Sequence, residues 1–162
     1  MQTSNYTSTE RRSGVNKNKF GRVYFGILGV VTLFFGIMDL VATLRGESIT
    51  WGILEIPGDI FPGGWGGLIV LFAGLFYLAG IRNFFQIHQF SKVVMGSILV
   101  WIMAGCDIFA WITESIPGGE EGPWLNPWGN FLGTFAPPYT PAIFLLPFSL
   151  VVIYFIYQRR RT

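Results

Sequence analysis

The sequence predicts an all-α membrane protein: a bundle of four transmembrane helices with both termini in the cytoplasm. The prediction depends on composition, on four long apolar stretches and on the one-sided distribution of basic residues. Of the 162 residues, 51% are hydrophobic and only 12% are charged, whereas about 25% of the residues in a typical soluble domain are charged. Because this number of polar side chains is too small to cover the surface of a soluble domain, we expect the chain to fold in a lipid bilayer.

Four apolar stretches approach the length that is needed to cross a bilayer. A hydrocarbon core of about 30 Å requires about 20 apolar residues at a rise of about 1.5 Å each. The predicted spans are residues 23–44, 65–81, 93–113 and 141–157, and the predicted outer loops are 45–64 and 114–140. The second and fourth spans are the shortest. Together these segments predict a four-helix transmembrane domain over residues 20–162.

The basic residues predict the orientation of the helices. Ten of the eleven Lys and Arg residues precede the first span, connect the second to the third or follow the fourth, and Arg45 is the exception. Basic residues concentrate on the cytoplasmic side of membrane proteins. We therefore expect an N-in, C-in protein of the cell membrane. The segment 1–19 is polar and lacks apolar periodicity, which predicts a disordered cytoplasmic tail.

The two halves of the domain resemble each other. Phe20–Gly26 aligns with Phe90–Gly96, and Asp39–Ala42 aligns with Asp107–Ala110, at offsets of 70 and 68 residues. Each half would begin on the cytoplasmic side and contain two spans, so the halves would form a parallel 2+2 internal repeat about an axis along the membrane normal. The alignment requires gaps, and chance similarity is the open alternative.

Small residues predict where the helices pack. They are spaced seven residues apart in three spans, as Gly29 and Gly36, Gly67 and Gly74, and Ser97 and Ala104. Transmembrane helices associate through such residues because these let the backbones approach closely. In addition, Pro147 is expected to kink the fourth helix, and Tyr77 is expected to lie at the inner membrane interface.

Asp39 and Asp107 are the candidate functional residues, because an Asp at the centre of a transmembrane helix costs about 2.5–3.5 kcal/mol. The repeat would bring them to one depth. Two close carboxylates do not both ionise cheaply, so the pair is expected to bind a proton or a cation. The alternatives are a structural hydrogen bond between the repeats and side chains that extend to the outer interface. Glu47 and Glu114 are weaker candidates for the same cation, or simply part of an acidic outer surface.

The sequence favours a non-catalytic protein without a cofactor. The single Cys106 excludes an intrachain disulfide and a cysteine-based metal centre, and the single His88 excludes bis-histidine haem ligation within one chain. We see no catalytic set, phosphate-binding loop or metal-ligand spacing. The net charge of +2 gives no indication of nucleic-acid binding.

Two functional interpretations remain. One is an accessory or assembly subunit of a larger membrane complex, with the lipid bilayer and other membrane subunits as its partners. The other is a small oligomeric transporter or channel for a proton, a cation or a cationic solute, which would use Asp39 and Asp107. The outer loops are rich in Trp, Phe, Ile, Pro and Gly, so they are expected to form a lid, or alternatively to lie on lipid headgroups. Within them, Ser48–Leu54 is a candidate for a short interfacial helix.

Overall fold

A computed structural model of the chain describes residues 4–82, 84, 86–114, 133 and 136–160. Its helices are α1 Ser4–Arg45, α2 Trp65–Gly80, α3 Ile87–Glu114, α4 Pro141–Ser149 and α5 Val151–Arg160. In the described part of the chain, three helical stretches are long and apolar enough to cross a membrane, at 19–45, 87–113 and 141–159, and α2 is a shorter apolar helix. The chain is therefore mostly helical, and the four predicted spans coincide with apolar helices. Most of the predicted outer loop 114–140 lies outside the described residues.

The helices differ from the predicted spans mainly at their ends. Helix α1 begins at Ser4, within the segment predicted to be a disordered tail. That segment is a polar extension of a helix whose apolar part begins at Lys19, and because propagating a helix costs less than nucleating one, a polar segment can continue it. The disorder and the cytoplasmic location of the tail stay predictions.

Helix α2 is short for a membrane span. Its 16 residues give a length of about 24 Å at about 1.5 Å per residue, compared with a hydrocarbon core of about 30 Å. It continues directly from a π-helical turn, Ile60–Gly64, in which the Gly64 N–H donates to the Asp59 carbonyl at 3.0 Å. The helical path from Ile60 to Gly80 is therefore longer than α2 itself.

A β-hairpin replaces the helix that the sequence suggested for Ser48–Leu54. Strand β1, Ile49–Trp51, pairs antiparallel with β2, Leu54–Ile56. The prediction was wrong because β-branched and aromatic residues favour strands, and because Gly52, with φ +63°, supplies a turn conformation that other residues rarely adopt. The end of the bundle that carries β1 and β2 is called the hairpin end below.

Helix α1 ends in a Schellman motif that directs the chain into this hairpin. Gly46 has φ +67°, its N–H donates to the Thr43 carbonyl at 3.1 Å, and the Glu47 N–H donates to the Ala42 carbonyl at 3.3 Å. This arrangement satisfies the last carbonyls of the helix. Glycine is required at position 46 because it is the residue that adopts a positive φ without steric cost.

Glycines set the spacing between α1 and α2, as the sequence predicted. A methyl group on Gly36 would lie 2.6 Å from Cα of Leu71, and one on Gly74 would lie 2.8 Å from Cα of Leu33. A methyl group on Gly29 would be similarly close to the side chains of Tyr77 and Leu78. The two antiparallel helices thus approach with backbone against backbone, and the predicted seam is confirmed.

Aromatic rings fill the opposite end of the bundle. The ring of Phe25 in α1 lies 5.9 Å from that of Tyr77 in α2, 6.0 Å from that of Phe84 and 5.7 Å from that of Phe155 in α5. The ring of Phe90 in α3 lies 5.4 Å from that of Phe84. All five side chains are buried. They are called the aromatic cluster below, and they leave little space between the helices at this end.

Tyr77 is in this cluster, inside the bundle and not on its outer surface. Its side chain is 0% exposed, and its hydroxyl is 2.9 Å from Oγ of Ser97. Because Ser97 donates to the Val93 carbonyl at 3.2 Å, Tyr77 is the donor to Ser97. A nearby serine therefore satisfies the phenol inside the bundle and removes its need for an interfacial position.

The fourth span consists of two helices. Helix α4 contains Pro147 and ends at Ser149, and α5 begins at Val151. The break lies at Leu150, three residues after Pro147, whereas a proline disturbs the turn that precedes it, so the predicted kink at Pro147 stays a prediction. At the break, Trp101 of α3 donates from Nε1 to Oγ of Ser149 at 2.7 Å, and Ser149 donates to the Leu146 carbonyl at 2.7 Å. The side chain of Ser149 thus joins α3 to the break.

The glycine seam predicts opposite effects for two glycine-to-alanine variants. Gly36→Ala places a methyl group against the backbone of α2 and is expected to lower the free energy of unfolding by about 1–3 kcal/mol, the usual cost of overpacking. A methyl group on Gly105 of α3 has no atom within 4 Å, so Gly105→Ala is expected to be neutral or slightly stabilising. Thermal unfolding of both variants in the same detergent checks the difference, and equal melting temperatures would contradict the seam.

Candidate ion-binding pocket

Asp39 lies inside the protein, at the hairpin end of α1. Its side chain is 4% exposed, so it does not extend to the membrane interface. Gly67, in the first turn of α2, faces it so closely that a methyl group there would lie 2.5 Å from Cβ of Asp39. The glycine is what allows the acid to be enclosed between the two helices. Oδ1 of Asp39 is buried and has no hydrogen-bond partner.

Asp107 occupies the equivalent depth on α3 and is partly buried. Its Oδ2 accepts a hydrogen bond from the hydroxyl of Thr140. Thr140 is the N-cap residue of α4, but its side chain makes no capping hydrogen bond to that helix. The hydroxyl is therefore directed to the acid on the neighbouring helix, and this hydrogen bond joins α3 to the start of α4.

The two acids line one small cavity. Its volume is about 20 Å³, enough for one water molecule or an ion of similar size. The described residues around it are Asp39, Pro57, Gly66, Val70, Met103, Asp107, Thr140, Pro141 and Ala142. The structure thus brings together the two acids that the sequence singled out, and this cavity is called the acid pocket below.

The acid pocket has two carboxylates and, among its described lining residues, no basic side chain. It lies beside the first turns of α2 and α4, to which Gly66 and Pro141 belong. The N-terminal end of a helix carries a partial positive charge that favours nearby anions. These helix ends stabilise negative charge in the pocket, but they do not replace a counter-ion for two carboxylates.

The hairpin is hydrogen-bonded to a residue next to the acid pocket. The Tyr139 N–H donates to the Ile53 carbonyl at 2.7 Å, and the Glu55 N–H donates to the Tyr139 carbonyl at 3.0 Å. Pro57, which directly follows Ile56 of β2, lines the pocket. Of the predicted lid, the part formed by residues 45–64 therefore covers the hairpin end, and it is joined to the residue that precedes Thr140.

Of the two weaker candidates, Glu47 is not part of this pocket. Glu47 is exposed, just after the end of α1, and is not among the residues that line the cavity. The side chain of Glu114, at the end of α3, lies outside the described residues.

Comparisons with known proteins were made by family, by sequence and by structure. No family model, curated protein or solved structure matches this chain. What the pocket can do is therefore inferred from its own geometry.

The geometry separates the three interpretations of the acid pair. The burial of Asp39 argues against an acid that extends to the interface. These oxygens do not form a hydrogen bond between the repeats either, because Oδ2 of Asp107 accepts from Thr140 of the same half and Oδ1 of Asp39 has no partner. Both acids instead line one cavity, in which Oδ1 of Asp39 has no hydrogen-bond donor.

Thr140 and Pro57 are pocket residues that the sequence interpretation missed. Thr140 carried a usable signal, since a threonine directly before a proline at the start of an apolar run is typical of a helix N-cap. Nothing in the sequence indicated that its hydroxyl would be directed to Asp107 instead. Pro57 carried no signal, because its position depends on the hairpin.

The hydrogen bond between Thr140 and Asp107 is expected to contribute measurably to stability. Thr140→Val keeps the shape of the side chain but removes the donor, which is expected to cost about 1–3 kcal/mol in the free energy of unfolding. The control is Thr113→Val, since Thr113 is exposed near the end of α3 and donates only to the Ala110 carbonyl, at 2.7 Å. Chemical or thermal unfolding in detergent measures both, and an equal loss in the two variants would contradict the assigned role.

Proposed function

We propose that the chain is a four-span integral protein of the cell membrane with both termini in the cytoplasm. The apolar helices support the four spans, and the short α2 is extended by the π-helical turn before it. The hairpin end then faces outward, away from the ten basic residues on the cytoplasmic side. This orientation opens the acid pocket towards the outside of the cell.

The parallel 2+2 repeat is part of this proposal. In the first half, Asp39 of α1 lies against Gly67 in the first turn of α2. In the second half, Asp107 of α3 accepts from Thr140 at the start of α4. Each acid thus faces the N-terminal end of the helix that follows it, which is the arrangement expected of two duplicated units.

The orientation is tested by labelling single cysteines in intact cells. In a Cys106→Ser background, Ser48→Cys, next to the hairpin, is expected to react with a membrane-impermeant maleimide added outside. Thr162→Cys, after the last basic residues, is expected to react only after the membrane is permeabilised. Reaction of both positions under the same condition would overturn the proposed topology.

Within the membrane, we propose that the protein acts as a non-catalytic accessory or assembly subunit of a larger complex. The observation that carries this proposal is the aromatic cluster, which closes the end of the bundle opposite the acid pocket. The polar groups at the cluster are engaged: Tyr77 is hydrogen-bonded to Ser97, and the guanidinium of Arg159 lies over the Phe90 ring and donates to the Phe84 carbonyl. A closed bundle favours a role in association over one in transport or catalysis.

A groove on the bundle surface supports association. Helices α1 and α4 touch much less than the sequential neighbours α1–α2 and α2–α3. They leave an apolar groove of about 260 Å³ between them, with Ile27, Val31 and Phe144 among its lining residues. At one point the groove is bridged by the Tyr24 hydroxyl, which donates to the Phe148 carbonyl at 2.9 Å. A groove of this size accommodates one or two apolar side chains that project from a helix of another membrane subunit.

Transport by an oligomer is the second candidate, and one observation favours it. Asp39 and Asp107 share a cavity, and buried acids in membrane helices mark the paths of ions and protons in many transporters. Because a single copy is closed at the aromatic cluster, the path would have to lie between copies. This candidate therefore requires a homo-oligomer.

Purification in a mild detergent followed by native mass spectrometry tests the subunit role. We expect other membrane proteins to be recovered in stoichiometric amounts with the tagged chain. Val31→Trp, which fills the groove, is expected to reduce this recovery at least several-fold. The control is Ile102→Trp, an exposed position on α3, which is expected to leave it unchanged.

The same preparation distinguishes the two candidate functions. A homo-oligomer without foreign subunits, combined with proton or cation flux in liposomes that Asp39→Asn abolishes, would favour the transporter. A monomer without partners and without flux would contradict both candidates.

A further inference from the structure

The acid pocket combines an enclosed acid with an unsatisfied oxygen. Asp39 is more than nine-tenths buried, its Oδ1 lacks a hydrogen-bond partner, and it lines a cavity together with a second carboxylate. Buried carboxylate oxygens are normally hydrogen-bonded, because leaving one unsatisfied is costly. A ligand that supplies positive charge at Oδ1 removes this cost.

The size of the pocket limits what that ligand can be. A cavity of about 20 Å³ holds one water-sized species. Ca²⁺ takes about 6–8 oxygen ligands, and Mg²⁺ usually retains several waters. Among the described residues there is also no group of three or more His, Cys, Asp or Glu side chains that could hold a metal ion. Hydrated divalent ions therefore do not fit.

The charges limit the ligand further. The described lining residues from every neighbouring element are Pro57 of the loop, Gly66 and Val70 of α2, Met103 of α3, and Thr140, Pro141 and Ala142 around the start of α4. None of them is titratable, so Asp39 and Asp107 are the charged groups that face the cavity. One of the two, Asp107, already has a donor in Thr140. A single positive charge between the acids satisfies Oδ1 of Asp39 and reduces the repulsion between them.

We propose that the acid pocket is a binding site for one small dehydrated monovalent cation, the size of Na⁺ or less, held between Asp39 and Asp107. A proton and an alkali ion share the chemistry that the site recognises, and the experiment below distinguishes them. The inference goes beyond the proposed function, because it holds for an accessory subunit and for a transporter alike. Its test uses the purified chain alone and depends on neither partners nor flux.

The hairpin makes this site dependent on the loop that covers it. Tyr139 binds the hairpin through its backbone, and the next residue, Thr140, donates to Asp107. The hairpin and Asp107 are therefore joined through two adjacent residues.

Thermal unfolding of the purified full-length protein in detergent tests the proposal. The ionic strength is kept constant with N-methyl-D-glucamine chloride, which is replaced stepwise by LiCl, NaCl or KCl at alkaline pH. A ligand that binds the folded state raises the melting temperature in proportion to the logarithm of its concentration once the site saturates. We expect this rise for Li⁺ or Na⁺ and a smaller one for the larger K⁺. In a second series without alkali ions, the pH is lowered to mildly acidic values.

The variants distinguish a thermal response of the acid pocket from a response of other acidic residues. Asp39→Asn keeps the shape of the side chain and removes its charge, so it is expected to abolish the response to cations and to pH. Asp59→Asn is the matched control, because Asp59 is an exposed aspartate at the same end of the bundle, and it is expected to respond like the wild type. Asp107→Asn, which retains an oxygen for Thr140, is a second variant if Asp39→Asn does not fold.

Each outcome decides the question. A response to Li⁺ or Na⁺ assigns an alkali ion, and a response to pH alone assigns a proton bound at Asp39. Both support the site if Asp39→Asn removes the response and Asp59→Asn keeps it. Identical melting temperatures of the wild type in all salts and at all pH values overturn the proposal. So does a response that Asp39→Asn leaves unchanged.

Discussion

The close approach of α1 and α2 is the constraint on which the rest of the structure depends. In lipid, the hydrophobic effect does not favour the pairing of two apolar helices, so close packing must stabilise the contact between them. Gly36 and Gly74 provide it by letting each backbone lie against the other helix. In the same seam, Gly67 leaves room for Asp39. The packing that holds the helices together therefore also encloses the acid.

The sequence was most informative where the bilayer itself sets the rule. Each of the four apolar stretches coincides with an apolar helix, although α1 extends beyond its stretch to Ser4 and α2 is shorter than a hydrocarbon core requires. The meeting of Asp39 and Asp107 in one cavity was also accessible, because both lie at the same depth on helices expected to run in the same direction.

The features that the sequence did not predict all depend on contacts between distant segments. The hairpin is held by Tyr139, more than eighty residues further along the chain, so local propensity alone did not distinguish it from a short helix. A tyrosine near the end of a span is typical of the membrane interface, but Ser97 on α3 provides the hydrogen bond of Tyr77 inside the bundle. Thr140 is a typical N-cap residue whose hydroxyl is drawn to Asp107 instead. In each case a partner elsewhere in the chain decides between two locally reasonable positions.

Several polar side chains inside the described bundle are satisfied in pairs, although the buried Oε1 of Gln89 has no hydrogen-bond partner. Trp101 has Ser149, Tyr77 has Ser97, and Asp107 has Thr140. Against this pattern, Asp39 is the described residue with a buried carboxylate oxygen that has no partner. An apolar residue at position 39 would avoid both the cost of enclosing a charge and the unsatisfied oxygen. A buried acid that no basic side chain of the described pocket lining neutralises breaks the rule that buried charges are paired, and such places are expected to be functional.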